Sequence, residues 1–431
     1  MPLAIDDTDS REGMCTTYLA LRIIGESGLD LIGFPRLVRL NPTIPFKTRG
    51  NGAVVLRLGR GRGRSYVVGE YRGRPIRAYE RGVEAEPAEL LELAKEFVGE
   101  MAEPESSPGV VASPRLPPES LYWAGVREFL PRERVMEVLG GIGALWWGER
   151  GVVGAAAAMA WRARKFTFEA LVYGERSSLP DRARLLETAK EIEELFPQTF
   201  DNYDPSGEPL IAPRASTPVL MGVRSVDWRI LPCAVAHAGL EAEGWVIYKT
   251  NQGTDDHLRR MRISQLGRYS NAVVEGVVVS EPRVIEGGHV ICSVSDGTGI
   301  VDIAAYEPTG SFREVVRALR PGDEVVAMGS VRMEPRLTIN LEKLIVRKVE
   351  VGIVKASNPR CPVCGRRMEG AGGGWLRCRR DGIWMPSRAA IWRPERRKLA
   401  VGAYEVDPRA RRHLSAPLKI TPLRPYRGGP P

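Results

Sequence analysis

Three carboxylates stand within four residues near the start of the chain: Asp6, Asp7 and Asp9, in the run Ile5-Asp6-Asp7-Thr8-Asp9-Ser10. Carboxylates this close repel one another unless a cation joins them. Oxygen-only clusters of this kind suit Mg²⁺, with a substrate phosphate completing its octahedron. A second polar cluster, Pro45-Phe46-Lys47-Thr48-Arg49-Gly50-Asn51-Gly52, sets two cations beside a hydroxyl and two glycines. Such a loop lets backbone amides approach a phosphate. It is not a Walker loop, whose GxxxxGK[ST] pattern is absent from the chain. The run Tyr248 to His257 holds nearly every kind of hydrogen-bonding side chain, which is costly to order without a purpose, though a solvated loop leading to the next domain also fits. Phe200 to Asp204 offers two carboxylates and two aromatic rings, suited either to a cationic substrate or to a capped turn.

The metal-binding pattern lies near the other end. Cys361-Pro362-Val363-Cys364-Gly365 is a zinc knuckle, two thiolates around a tight turn that the glycine permits. Its partner is Cys378-Arg379-Arg380-Asp381-Gly382, with Asp381 where a fourth cysteine would stand. A carboxylate ligates zinc, so a three-thiolate, one-carboxylate site fits. A weakened site, or recruitment of His413, fits too.

The elements that must position these groups follow from periodicity. Leu3 to Ile5 reads as a strand leading into the acidic turn, and Thr16 to Gly25 as a helix. An acidic turn after a strand lies at the carboxyl edge of a sheet, where α/β folds bind ligands. Strands are expected at Leu37 to Leu40 and Ala53 to Leu58, a helix over 84–101, and a Pro/Ser/Glu-rich linker over 102–120. Residues 121–265 mix helices (121–140, 151–164, 181–196) with strands (166–173, 218–223, 244–249). Residues 271–349 change period to five strand-like runs with a helix, Phe312 to Leu319, between the third and fourth. That is the layout of an OB barrel, which binds single-stranded nucleic acid or tRNA.

Charge is distributed unevenly. The 431 residues carry 62 basic and 53 acidic side chains, net +9. Residues 351–431 hold 18 basic against 5 acidic, net +13, while the remainder holds 44 against 48, net −4. A basic end on a near-neutral body fits a polyanion-binding module, and its interleaved tryptophans and tyrosines suit base stacking. Residues 400–431 also fit a disordered basic tail. The longest apolar run, Gly151 to Trp161, is eleven residues, short of the roughly 18 that cross a bilayer. The first residues lack the zones of a signal peptide. Six scattered cysteines do not make a disulfide framework. These features exclude a secreted disulfide scaffold and a helical membrane protein.

In the order Ile5 to Ser10, Gly13 to Tyr18, Pro45 to Ala53, Phe200 to Asp204 and Lys249 to His257, the chain resembles the archaeal isoleucine tRNA 2-agmatinylcytidine synthetases, over essentially its whole length. The resemblance implies a multidomain α+β fold: a kinase-like ATP/Mg domain (1–120), a ferredoxin-like agmatine-binding domain (121–265), an OB-fold tRNA-binding domain (266–349), and a zinc ribbon with basic tail (350–431). It implies ATP-dependent phosphorylation of the C2 carbonyl oxygen of the anticodon wobble cytidine, then displacement of phosphate by agmatine. The expected partners are agmatine and an isoleucine tRNA with a CAU anticodon, with no membrane and no obligatory protein partner, in the cytoplasm. The expected cofactors are ATP, Mg²⁺ and a structural Zn²⁺. Asp6, Asp7 and Asp9 match the family's acidic motif, Asp6 and Asp7 as magnesium ligands. Thr16 matches its autophosphorylated threonine, with Thr17 as the adjacent alternative. Lys47, Thr48 and Arg49 match its phosphate-contacting loop. Asp201, Asp204 and Asp255 are the expected agmatine ligands, and Cys361, Cys364, Cys378 and Asp381 the zinc ligands. The rival reading is a non-catalytic single-stranded nucleic-acid-binding protein built on the OB fold and ribbon. It accounts for 271–431 and leaves the acidic turn idle.

Overall fold

The computed structural model describes residues 2–10, 13–46 and 50–420. Its backbone is one continuous twelve-stranded sheet, a five-stranded barrel and a small C-terminal ribbon. The acidic turn follows the strand Leu3–Asp6, which lies inside the sheet between Gly52–Leu56 and Gly109–Ala112. Buried side chains alternate across this strand. Leu3 and Ile5 pack with the helices Thr16–Glu26 and Pro87–Met101, and Ala4 packs with Glu119–Arg127 and Gly151–Met159 on the other face. Val54 and Leu56 against Ala53 and Val55 repeat the pattern. A strand with both faces covered must be apolar throughout. The acid cluster therefore begins where the strand ends.

Residues 102–120 are not a linker. They contain the fully buried strand Gly109–Ala112, whose four residues pair with Leu3–Asp6 on one side and Leu145–Gly148 on the other. Nor does packing break at residue 120. Helices Glu119–Arg127 and Gly151–Met159 cover the first module's sheet, so residues up to about 160 share its core. The hairpin Leu58–Tyr71 and Arg74–Glu84, which the periodicity did not reveal, extends from this sheet.

The second module joins the first edge to edge. Its strand Gly244–Thr250 runs parallel to Arg36–Arg39, placing Lys249 opposite Arg36 and Thr250 opposite Leu37. On the other side Gly244–Thr250 pairs with Thr167–Tyr173, which pairs with Val219–Ser225. Helices Arg182–Leu195 and Leu231–Ala238 cover one face of these strands.

The barrel closes through five strands. Asn271–Val278 pairs with His289–Ser295 and Glu324–Arg332, Ile300–Ala305 pairs with His289–Ser295 and Thr338–Lys348, and Thr338–Lys348 pairs with Glu324–Arg332. A helix, Phe312–Arg317, lies between the third and fourth strands as expected. The segment after the ribbon is not a loose tail up to Ile420. Gly402–Glu405 adds to the barrel strand Thr338–Lys348, and Leu414, Ser415 and Ala416 are buried against the body. No helix among the described residues is long and apolar enough to cross a membrane.

Candidate active site

The acidic turn opens into a cleft of about 1000 Å³ between the first two modules. Asp6, Asp7, Asp9, Thr16 and Thr17 all line it. The turn is held by local geometry. Asp7 adopts φ 59°, and its backbone N–H donates to Asp6 Oδ1 at 2.9 Å. Left-handed backbone at a non-glycine residue is uncommon outside turns and functional sites. Asp6 packs against the helix Gly151–Met159, where a Cβ on Gly154 would lie 1.7 Å from Asp6 Oδ2. That glycine makes room for the carboxylate.

The surroundings of Asp6 and Asp7 disfavour their charged forms. Burial and the neighbouring Asp7 push the Asp6 carboxyl up to about 8, with Asp9 adding to the effect. Burial also raises Asp7, and the Arg150 guanidinium works against it at 2.8 Å. A divalent cation reverses both effects, because it compensates carboxylates that the chain leaves close together and desolvated. The oxygen-only donor set fits Mg²⁺.

Thr16 opens the helix Thr16–Glu26, whose N-terminus meets the cleft. Its cap, Cys15, makes no side-chain capping bond, and no acid stands in the first turn. An uncapped helix start favours an anionic ligand. The Thr8 hydroxyl donates to Thr16 Oγ1 at 3.0 Å, and the Cys15 thiol lies 3.0 Å from Thr17 Oγ1. Lys47, Thr48 and Arg49 lie outside the described residues. Their flanks, Phe46 and Gly50, line the same cleft.

Sequence reading missed the charged floor of the cleft. Glu169 is 2% exposed in the otherwise apolar strand Thr167–Tyr173. It accepts a hydrogen bond from Arg224 Nε at 3.0 Å and another from Gln252 Nε2, and lies 3.8 Å from Arg39 Nη2. A lone carboxylate in a fully buried strand was the available signal, since burying one costs free energy unless it is paired. His413, brought in by the C-terminal segment, lines the cleft as well, its Nδ1 2.9 Å from Gln252 Oε1. Nothing in local sequence links residue 413 to residue 252.

Asp201, Asp204 and Asp255, the expected agmatine ligands, do not line this cleft. The chain's own cations and amides occupy them. Asp201 is paired with Arg411, which also reaches Glu405 at 2.8 Å. Asp204 accepts from the Ser206 and Arg409 backbone amides at 3.0 and 3.1 Å. Asp255 holds Lys343, a barrel lysine 1% exposed, at 2.5 and 2.6 Å, and accepts from the Ala416 amide at 2.7 Å. The whole block 249–257 is a junction. Asn251 clamps the backbone of Arg39 in both directions, at 2.7 and 2.8 Å, Asp256 accepts from Tyr122 at 2.6 Å, and buried His257 meets buried Glu342 of the barrel at 3.0 Å. Its many polar groups join three modules and the C-terminal segment.

The ribbon brings the four expected metal ligands together. One donor atom from each of Cys361, Cys364, Cys378 and Asp381 lies within 4.8 Å of the others. Asp381 Oδ2 is 3.2 Å from Cys361 Sγ and 3.4 Å from Cys378 Sγ, and the Cys364 and Cys378 sulfurs are 3.6 Å apart. The two knuckles match: the Gly365 and Gly382 amides each donate at 2.9 Å to the carbonyl of the leading cysteine, with φ 71° and 69°. This donor set and spacing fit tetrahedral zinc. His413 points into the distant cleft, so it is not the fourth ligand.

Two family models, described as the TiaS TCKD domain and the TiaS FLD domain, match residues 2–149 and 149–257. The isoleucine tRNA 2-agmatinylcytidine synthetase TiaS of Methanopyrus kandleri is 39% identical, over 98% of this chain and 97% of that protein. Its namesake from Methanocaldococcus jannaschii is 36% identical, over 98% and 99%. The chain belongs to the isoleucine tRNA 2-agmatinylcytidine synthetase family. Among solved structures of the synthetase, apo TiaS superposes with TM-score 0.81 at 34% identity, covering 99% of this chain and 98% of that one. A complex of TiaS with its isoleucine tRNA, AMPCPP and agmatine superposes with TM-score 0.76 at 31% identity, with the same coverage. The first synthetase model ends at residue 149, where the helix carrying Gly154 is about to begin.

Proposed function

We infer that this protein is an ATP-dependent tRNA-modifying synthetase that forms 2-agmatinylcytidine at the wobble cytidine of an isoleucine tRNA with a CAU anticodon. The C2 carbonyl oxygen of cytosine is a poor leaving group. ATP phosphorylates it, and the primary amine of agmatine then attacks C2 and releases phosphate. The observation that carries this reading is the acidic turn opening into a cleft large enough for nucleotide, base and amine together. A purely binding protein has no use for that turn.

On this reading Asp6, Asp7 and Asp9 hold Mg²⁺, which neutralises the phosphate oxygens during transfer. Thr16 presents the hydroxyl that is autophosphorylated, with Thr17 beside it, and Lys47, Thr48 and Arg49 meet phosphate. With Asp201, Asp204 and Asp255 engaged elsewhere, the cations of agmatine fall to exposed carboxylates that line the cleft, including Glu128 and Glu149. The wobble base must leave its stack to reach this site. The first module then acts as a kinase-like domain and the second as a ferredoxin-like one. The barrel is an OB fold and the 350–400 unit a zinc ribbon. Both hold tRNA, the ribbon through its half-exposed Trp375, Trp384 and Trp392. Zinc there supplies folding energy rather than chemistry. On the same reading the protein works in the cytoplasm.

The test is mass spectrometry of a CAU isoleucine tRNA transcript incubated with the protein, ATP, Mg²⁺ and agmatine. A mass gain on the anticodon cytidine, dependent on ATP and agmatine, is expected. Intact tRNA binding with no gain under any condition refutes the catalytic reading.

A further inference from the structure

Arg39 is partly buried, its side chain 15% exposed, and its buried Nε has no hydrogen-bond acceptor among the described residues. Its ionic neighbour, Glu169 at 3.8 Å, is held more closely by Arg224 at 3.0 Å. Buried donors without acceptors are rare, because each costs the desolvation it does not recover. The Arg39 tip does not stand alone. A Cβ placed on Gly50 would lie 2.5 Å from Arg39 Nη1 and 3.2 Å from His413 Nε2, so both nitrogens converge on one point that only glycine leaves open. The orientation of His413 is fixed. Gln252 donates its amide to Glu169, so its oxygen accepts from His413 Nδ1–H. Nε2 is the nitrogen turned towards Gly50.

At this point a side cavity of about 260 Å³ adjoins the cleft and shares Arg39, Gly50 and His413 with it. Arg411 and Arg412 complete its charged lining, and no acidic side chain among the described residues lines it. Those two arginines are balanced from outside the cavity, by Asp201, Glu405 and Glu342. Arg39 has Glu169 as its ion-pair partner among the described residues, and shares it with the closer Arg224.

We propose that Arg39 and His413, converging over Gly50, form a phosphate-binding subsite at the junction of the cleft and the side cavity. The ligand is a phosphate group, either from the bound nucleotide or from the backbone of the bound RNA. These two sources rest on the function inferred above. The anion chemistry does not. Arg suits this task because its fork donates to two phosphate oxygens at once. The subsite also gives the C-terminal segment a role in the cleft, because residues 402–416 carry His413 back from the ribbon.

The test uses the full-length protein with Arg39→Met and His413→Gln. AMPPNP with Mg²⁺ and the CAU tRNA transcript are titrated separately, the tRNA across a salt series. If the source is nucleotide, Arg39→Met weakens AMPPNP about 10- to 100-fold and leaves tRNA unchanged. If it is RNA backbone, tRNA binding weakens uniformly, its salt slope falls by about one, and AMPPNP is unchanged. His413→Gln gives a smaller loss for the same ligand. Unchanged binding of both probes by Arg39→Met overturns the proposal. A second readout separates a structural role. Replacing a buried, unsatisfied cation leaves the ligand-free protein as stable as wild type or more so. A lowered Tm means that Arg39 serves to pair Glu169, and it too overturns the proposal. Phosphate binding that follows this pattern in a protein that forms no agmatidine sustains the subsite and sinks the function.

Discussion

Two groups of aspartates in this chain look alike in sequence and differ in where their compensating charge comes from. Asp201, Asp204 and Asp255 are each held by cations or amides of the chain itself, at the junction of the second module, the barrel and the C-terminal segment. Asp6, Asp7 and Asp9 crowd a cleft where, among the described residues, the Arg150 guanidinium reaches Asp7, and the partly buried Asp6 carboxyl is pushed up to about 8. The first group is complete as folded. In the second, Asp6 and Asp7 are arranged for something that arrives from outside. Carboxylates that serve a ligand are therefore recognised by an imbalance the fold maintains, not by their number or spacing.

That contrast breaks most sharply on activity. Asp7→Ala should lower the rate of agmatidine formation by about 10²–10³-fold, the scale on which removing one group that stabilises developing charge acts, while Tm holds or rises. Gly154→Ala should approach the same loss without touching a charged residue, because the new methyl group displaces the Asp6 carboxylate. Initial rates on the tRNA transcript, with melting curves alongside, check both. A fall in Tm comparable to that of a junction variant would place the acidic turn in the structural class.

Asp255→Asn is the reverse experiment. It leaves Lys343, 1% exposed, without its carboxylate. Breaking a buried pair in this way costs about 3 kcal/mol, the low end of the range because Asp255 is 22% exposed. Denaturant unfolding should show that loss, and Lys343→Met in the same chain should recover most of it. Wild-type turnover at saturating agmatine is expected from whatever fraction remains folded. A raised KM for agmatine with unchanged stability would restore Asp255 to the substrate site.

The sequence carried the local part of this contrast and none of the long-range part. The strand before Asp6, the helix from Thr16, the five barrel strands and the paired knuckles all show periods or spacings within a few tens of residues, and all are present. The partners that decide each aspartate's role lie far away in the chain: Arg411 for Asp201, Lys343 for Asp255, Arg150 for Asp7. Periodicity has no access to such pairings. Gly109–Ala112 was hidden for a related reason. Its flanks are rich in Pro, Ser and Glu, and only pairing with Leu3–Asp6 makes it a central strand.

Asp381 is an intermediate case, a carboxylate set among three thiols. If zinc supplies its balance, metal analysis should find one zinc per chain. Asp381→Ala should weaken zinc at least tenfold, since even outer-shell losses cost about 10–100-fold. Asp381→Cys should tighten it. A chain that holds no zinc, with Trp384 fluorescence indifferent to chelator, would move Asp381 to the self-compensated class.

The smallest expected effect is also the most direct reading of the contrast, because it opposes the two groups by sign. Burial and Asp7 raise the Asp6 carboxyl in the folded state, so the folded protein binds a proton there that the unfolded chain releases at lower pH. In metal-free protein the associated stability is fully present below about pH 4 and is lost as pH rises towards about 8. Asp204 is the opposite. Burial alone would raise it, but hydrogen bonds from Ser206 and the Arg409 amide outweigh that and hold it below the ordinary carboxylate range. Its contribution is present above the ordinary pKa and is lost as pH falls through the lowered one. Melting curves of wild type against Asp6→Asn should therefore diverge towards high pH, with the variant the more stable by about 2–4 °C. Wild type against Asp204→Asn should diverge with the variant the less stable, converging only in acid. Saturating Mg²⁺ should abolish the first divergence and leave the second untouched, because a cation supplies to Asp6 what the folded chain already gives Asp204.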